Sequence, residues 1–206
     1  MFIILQYIID FVFPPSKEEL IIRNISPIEL SNSSSILLET EFPFIKSLFS
    51  YKNPIIKELI WQIKYKKNKH AIKCAGYCLF EKLKEYSKEK IILIPIPISN
   101  QRRKERGYNQ TELLIDEIIK LDLNNNFEKD YNILVRTKNI DKQTHKNRND
   151  RIENTKSIFQ VKERRVSNNK IIIIDDVTTT GSTLNEARKC LMDSEYSDIQ
   201  ALTIAH

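Results

Sequence analysis

Residues 171–183 read Ile-Ile-Ile-Ile-Asp-Asp-Val-Thr-Thr-Thr-Gly-Ser-Thr. The four isoleucines predict a buried strand. Asp175 and Asp176 stand at its end, Thr178 to Thr183 form a short hydroxyl-rich loop, and a helical pattern starts at Leu184. In open α/β sheets, ligands bind at the carboxyl ends of strands. The free N–H groups of a helix N-terminus attract anions. Gly181 allows a left-handed conformation or a close backbone approach. Thr178, Thr179, Thr180, Ser182 and Thr183 add hydroxyls, so one phosphate can be held without a basic side chain. If strand geometry persists, Asp175 and Asp176 point to opposite sides. Carboxylates accept hydrogen bonds from vicinal hydroxyls, such as those of a ribose. The spacing therefore suits a sugar phosphate, with the diol on the acids and the phosphate in the loop. The bland alternative is an acid pair and a Ser/Thr-rich turn that only cap a helix.

Two basic stretches add to this. Arg102, Arg103 and Arg106 follow Ile94-Pro95-Ile96-Pro97-Ile98-Ser99. They either hold phosphates in bidentate fashion or form the solvated start of a helix. Between Trp61 and Lys73 lie Lys64, Lys66, Lys67, Lys69 and Lys73, with no acid and with Trp61 and Tyr65 interleaved. Basic charge beside aromatic faces is the footprint of single-strand binding. Equally, Trp61 and Tyr65 are four apart on a helix, where they pack into the core with lysine stems around them.

The elements that must position these groups follow from pattern. The chain has 206 residues, 41 % hydrophobic and 29 % charged, enough apolar content for a real core and against global disorder. Three glycines exclude a collagen-like chain and a glycine-cradled dinucleotide fingerprint, and three cysteines exclude a disulfide scaffold. Cys74 and Cys78 share a helical face without a zinc-like spacing to other Cys or His, so they read as plain thiols in a reducing compartment. The first 50 residues carry three basic and six acidic side chains, and the remaining 156 carry 30 and 21, for an overall +6. The basic part favours anionic partners.

Residues 1–50 read as an N-terminal helical extension and 51–206 as the main domain. The apolar start, Met1 to Phe13, reads as a helix packed on the body and closed by Pro14 and Pro15. It is well short of the roughly 20 residues of a membrane span. Helices are expected from Pro54 to Tyr65, Ile72 to Tyr86, Thr111 to Leu121 and Leu184 to Met192. Strands are expected at 91–94, Ile133 to Val135, Ile171 to Ile174 and Ile199 to Ala205. Alternating strands and helices indicate an α/β fold with a mainly parallel central sheet flanked by helices.

The motif at 171–183 resembles the 5-phosphoribosyl-1-pyrophosphate (PRPP) binding loop of type I phosphoribosyltransferases. A second block is similar to the "PVP…R…RG[FY]NQ" block of ComF-type competence proteins: Pro95-Ile96-Pro97, Arg102, Arg103 and Arg106-Gly107-Tyr108-Asn109-Gln110. Gln143-Thr144, Arg151, Asn154 and Phe159 stand at the spacing of that family's "QT…R..N….F" segment. Phe13-Pro14-Pro15 resembles its "FPP", and Lys64-Tyr65 its "KY". The resemblance runs from about residue 11 to 206, with 16–50 poorly covered. One departure stands out. Many members carry a cysteine zinc site after "FPP", where this chain has Ser16-Lys17-Glu18-Glu19, so no zinc is expected.

The resemblance implies a type I phosphoribosyltransferase-like fold that binds PRPP with Mg²⁺ and transfers the phosphoribosyl group with release of pyrophosphate. It assigns the ribose and 5′-phosphate to Asp175, Asp176, Thr178, Thr179, Thr180, Gly181, Ser182 and Thr183. Pro97, Ile98, Ser99, Arg102, Arg103 and Arg106 fall at the pyrophosphate loop. Asp175, Asp176, Arg106 and Arg151 are the residues expected to carry catalysis, with no metal held by protein ligands alone. Lys142, His145, Lys146, Arg148 and Arg151 lie where type I enzymes have a loop that closes over PRPP. Tyr108 either stacks on an acceptor base or packs in the core. The family is tied to uptake and processing of transforming DNA. The rival reading is therefore a cytoplasmic, non-catalytic competence factor that binds single-stranded DNA or DNA-processing proteins.

Overall fold

A computed structural model provides the structure of the protein and describes residues 10–34, 38–39, 42–86, 90–137, 158–162 and 169–206. Among the described residues six strands form the main sheet: β1 (Leu38–Glu39), β2 (Ile45–Phe49), β3 (Ile91–Pro95), β4 (Phe127–Lys129), β7 (Lys170–Val177) and β8 (Ile199–Ala205). Their order is β1-β2-β8-β7-β3-β4. In this sheet the β1–β2 pair is antiparallel, and β2–β8, β8–β7, β7–β3 and β3–β4 are parallel. The expected α/β architecture with a mainly parallel sheet is what the chain adopts.

β7 owes its central place to composition. Ile171 and Ile173 enter one apolar core and Ile172 and Ile174 the other, so the strand is buried on both faces. Each fully buried isoleucine contributes about 1.5–3 kcal/mol. That burial carries the strand through Asp175 and Asp176 to Val177, with Asp175 in register with Thr203 of β8. One core lies under α1 (Lys17–Asn24), α2 (Pro27–Asn32), α3 (Pro54–Trp61), α4 (Lys69–Leu83) and α6 (Gln110–Leu121). The other lies under α7 (Ser182–Asp193) and a two-stranded antiparallel pair, β5 (Leu134–Arg136) and β6 (Phe159–Val161).

Several elements depart from the sequence expectation. β2 lies before residue 51 yet pairs in parallel with β8, so the main sheet draws a strand from the N-terminal segment. The strand expected at 133–135 sits in the small β5–β6 ribbon rather than the main sheet. β4 has three residues and one buried side chain, too little pattern to read. The helix expected from Ile72 begins at Lys69, because the Asn68 side chain caps it, accepting from His70 N (2.9 Å) and Ala71 N (3.2 Å). Asp10 to Val12 are helical, and the Asp10 carboxylate takes both Arg23 guanidinium nitrogens, at 2.6 and 3.0 Å. Residues 1–9 of the expected first helix lie outside the described residues.

The helix read from Pro54 to Tyr65 changes pitch on the way. α3 runs to Trp61, and Gln62–Lys66 form a π-helix ended by Lys67 in the left-handed region (φ 48°). π-turns of this kind occur often at functional sites. Tyr108 Oη donates to the Ile63 carbonyl at 2.8 Å, pinning this turn. Gly107, at φ 78°, ends α5 (Asn100–Arg106). Asn109 then ties the next helix to the sheet: its Nδ2 donates to the Ile96 carbonyl at 3.0 Å while its Oδ1 accepts from Thr111 N at 3.2 Å. Gly107, Tyr108 and Asn109 of the second block are thus the braces of the loop after β3.

Gly181 precedes α7 at φ 74°. A Cβ there would stand 2.7 Å from Phe42 Cδ2 and 2.8 Å from Ile45 Cδ1. Backbone strain and overlap act together, so Gly181→Ala is expected to destabilise the fold by about 2–4 kcal/mol. Urea unfolding measures this. A loss below about 0.5 kcal/mol, the range of a neutral surface change, would contradict it.

Candidate functional site

A cavity of about 600 Å³ opens at the carboxyl ends of β3 and β7. Its walls include Asp175, Asp176 and Thr183 on one side, and Pro97, Ile98, Ser99, Arg102 and Arg106 from the loop after β3 and from α5. The size fits a small ligand, within the usual range of roughly 300–1,000 Å³. Two groups of residues read separately in the sequence therefore meet in one site.

Its acids are built into the strand. Asp175 Oδ1 accepts from Asp176 N and Asp176 Oδ1 accepts from Val177 N, both at 2.8 Å. Asp175 is 9 % exposed and Asp176 3 % exposed. The inner oxygen of Asp176, Oδ2, takes no well-aligned hydrogen bond among the described residues, and Lys64 Nζ lies 3.2 Å from it. The π-helix delivers Lys64 to the cavity while Trp61 and Tyr65 stay outside, 44 % and 60 % exposed. Burial, and the charge of Asp176 beside it, push the Asp175 carboxyl well above the ordinary range; Lys64 acts in the opposite direction.

The facing wall is cationic. Arg106 donates to Gln110 Oε1 at 3.0 Å and stacks over the Tyr65 ring at 5.1 Å. Arg136, at the end of β5, is half-buried, and its Nε has no hydrogen-bond partner among the described residues. Burial and the Arg102 charge push its guanidinium below the ordinary value, with Glu186 acting the other way. It remains charged at pH 7. The exposed Arg102 and the half-buried Arg136 thus face a cavity in which Glu105 is the remaining carboxylate besides the acid pair. Such an arrangement suits an anion, which would supply what the orphaned Nε lacks.

The other expected site residues are dispersed. Arg103 turns away, ion-paired with Glu112 and lining a different pocket. Thr178 and Thr179 face a second cavity beyond the loop. Thr180 Oγ1 donates to Ser182 Oγ at 3.0 Å, folding the loop on itself, and Gly181 packs against Phe42 and Ile45. Tyr108 braces the π-helix, so its hydroxyl is engaged. Lys142, Gln143, Thr144, His145, Lys146, Arg148, Arg151 and Asn154 lie outside the described residues. Lys64 and Arg136 were not read as site residues. A lysine in the acid-free stretch and an arginine ending a strand were the available signals, since strand ends are where ligands bind. Cys74 and Cys78 are buried, with thiols pushed up to about 11 and about 12, so they are inert. Among the described residues no cluster of three or more His, Cys, Asp or Glu could hold a metal, and no helix is long and apolar enough to cross a membrane.

A mainly parallel α/β sheet thus bears an acid pair, a hydroxyl loop and a cationic cavity at its strand ends, where such sheets bind ligands. Comparison with known proteins narrows this. The chain is 31 % identical over 151 residues to the competence protein ComFC of Bacillus subtilis, covering 72 % of this chain and 58 % of that protein. It is 35 % identical over 116 residues to competence protein F of Haemophilus influenzae, covering 55 % and 49 %. For ComFC of Streptococcus pneumoniae the identity is 28 % over 159 residues, covering 77 % and 66 %. The chain is thus a relative of the ComF competence proteins, and its matches span about half to two thirds of their lengths. No family model matches the chain. A crystal structure of a hypoxanthine phosphoribosyltransferase from Staphylococcus aureus superposes with a TM-score of 0.37 and 14 % identity, over 84 % of this chain and 68 % of that one.

The raised Asp175 has a consequence for stability. The unfolded carboxyl ionises near pH 4 whereas the folded one holds its proton to higher pH, so stability falls as pH rises above about 4 and up to the folded value. Asp175→Asn removes this loss. Its melting temperature is expected to exceed that of the wild type at pH 7, with the gap closing towards pH 4. A variant less stable than the wild type at pH 7 would contradict the assignment.

Proposed function

We propose that the protein binds PRPP with its Mg²⁺ and transfers the phosphoribosyl group to an acceptor, releasing pyrophosphate. The observation that carries this reading is the convergence of Asp175 and Asp176 with Arg102, Arg106 and Arg136 on one cavity. In it the acids take the ribose hydroxyls, and the arginines take the diphosphate. Negative charge grows on the leaving pyrophosphate in the transition state, where fixed cations act most strongly. Lys64 holds the acid side: as ribose hydroxyls reach Asp176, its ammonium neutralises the buried carboxylate. Two adjacent carboxylates suit an ion carried in by a diphosphate rather than a full protein cage. That ion would serve as a Lewis acid on the leaving group. The raised Asp175 can donate a proton or accept one within the site. Three free thiols fit a reducing compartment, and the reading places the activity in the cytoplasm and in competence.

Calorimetric titration of PRPP with and without Mg²⁺, into wild type and Asp175→Asn/Asp176→Asn, tests this. Each lost charged hydrogen bond should weaken binding by about 1–3 kcal/mol. Equal affinity in the double variant would remove the ribose role. Arg136→Gln should weaken PRPP binding by about tenfold or more, since a charge-assisted contact is at stake.

A second reading rests on a separate observation. Trp61 and Tyr65 are not core residues. Their rings lie 6.0 Å apart at the surface, with Lys66 Nζ 4.9 Å from the Trp61 ring centre. This is a stacking platform with cations beside it, suited to single-stranded nucleic acid. Trp61 is the only tryptophan, so its fluorescence reports directly. On this reading an oligothymidine quenches it and the effect fades with salt; unaltered fluorescence would discard it.

A further inference from the structure

Arg106 is the last residue of α5, where Gly107 turns the chain. A long side chain at a helix end loses much rotamer freedom when it binds an anion. Here the guanidinium is already held, on an edge and on a face. On the edge, Nη1 donates to Gln110 Oε1 at 3.0 Å. Gln110 is 3 % exposed and opens α6, the helix that Asn109 ties to the Ile96 carbonyl. On the face, the Tyr65 ring centre lies 5.1 Å from the guanidinium carbon. The Trp61 ring stands 6.0 Å from that of Tyr65 on its other contact. Tyr65 is exposed, so burial in a core does not account for its place.

This grip leaves the working part of the group available. A guanidinium carries five N–H donors in one plane, and the bond to Gln110 uses one of them. Stacking on a ring engages the face of the plane and leaves its edge for a phosphate. Arg106 and Gln110 both line the cavity of the acid pair. The ring comes from the π-helix, where Tyr65 directly follows Lys64. One residue of this turn thus reaches the acid wall and the next reaches the cationic wall.

We infer that Tyr65 and Gln110 are positioning residues that hold the Arg106 guanidinium with an edge free for the diphosphate of the ligand. This rests on the phosphoribosyl reading, which gives Arg106 its role. Each acts through Arg106: the ring fixes the tilt of the plane, and the amide fixes its rotation. The arginine then has little left to order when the diphosphate arrives.

Calorimetric titration of inorganic pyrophosphate with Mg²⁺ tests this, with ribose 5-phosphate as the probe of the acid end. Tyr65→Leu removes the ring, and Gln110→Met removes the acceptor at similar volume. Each should weaken pyrophosphate about three- to tenfold and leave ribose 5-phosphate binding as in the wild type. Tyr65→Phe keeps the ring and should restore wild-type affinity. In an Arg106→Gln background neither substitution should have a further effect, as expected of residues acting through one group. Tyr65 lies at the surface, so its variants decide the matter alone if Gln110→Met fails to fold. Equal losses for both probes, a loss in Tyr65→Phe as large as in Tyr65→Leu, or additive losses in the Arg106→Gln background would overturn the inference. So would wild-type pyrophosphate affinity in Tyr65→Leu while Arg106→Gln weakens it, and the phosphoribosyl reading would then stand without it. If Arg106→Gln itself leaves pyrophosphate binding unaltered, the diphosphate assignment fails at this wall and the positioning role fails with it.

Discussion

Two consecutive carboxylates sit at the carboxyl end of a strand buried on both faces, and one lysine stands against them. The Lys64–Asp176 contact at 3.2 Å is what makes the arrangement tolerable, because an unpaired buried charge is far costlier than a paired one. Much of the surrounding structure serves to make it. Lys64 reaches the acids from a π-turn. Lys67 ends that turn in a left-handed conformation, and the Tyr108 hydroxyl holds it from α5's far end. The same segment, through Asn109, fixes the loop after β3 that forms the opposite wall.

The site carries charge of both signs on opposed walls. Asp175 resists ionisation in its burial, while burial and the like charge of Arg102 act against the Arg136 guanidinium. Groups held in this state weaken the fold, and the proposed ligand, with hydroxyls at one end and phosphate at the other, would relieve them. Stability given up at a site in this way is a common feature of functional surfaces.

The centre of this arrangement was legible in the sequence, because the features that make it are local. Four consecutive isoleucines, two acids and a hydroxyl loop announce β7, its end and α7 within 13 residues. The loop after β3 was equally readable from its prolines and arginines. What escaped was whatever depends on partners distant in the chain. β2 has no strong alternation and is a strand because β8 pairs with it. Lys64 belongs to the site because a change of helical pitch redirects it, and a 3.6-residue period cannot show that. Trp61 and Tyr65 lie at the surface, where helical spacing also allowed a core position. Arg103 shares its helix with Arg102 and Arg106, yet its place on the turn sends it to Glu112. The split of Thr178 and Thr179 from Thr183 follows from the loop folding back through Thr180 and Ser182.

The claim on which the rest depends is that the acid pair receives the ribose and the arginines receive the diphosphate. A crystal structure of the protein with PRPP and Mg²⁺ tests it most directly. The account predicts the ribose hydroxyls within hydrogen-bond distance of Asp175 and Asp176, and the diphosphate against Arg102, Arg106 and Arg136. PRPP bound elsewhere, or lying in the cavity with its diphosphate away from all three arginines, would contradict it.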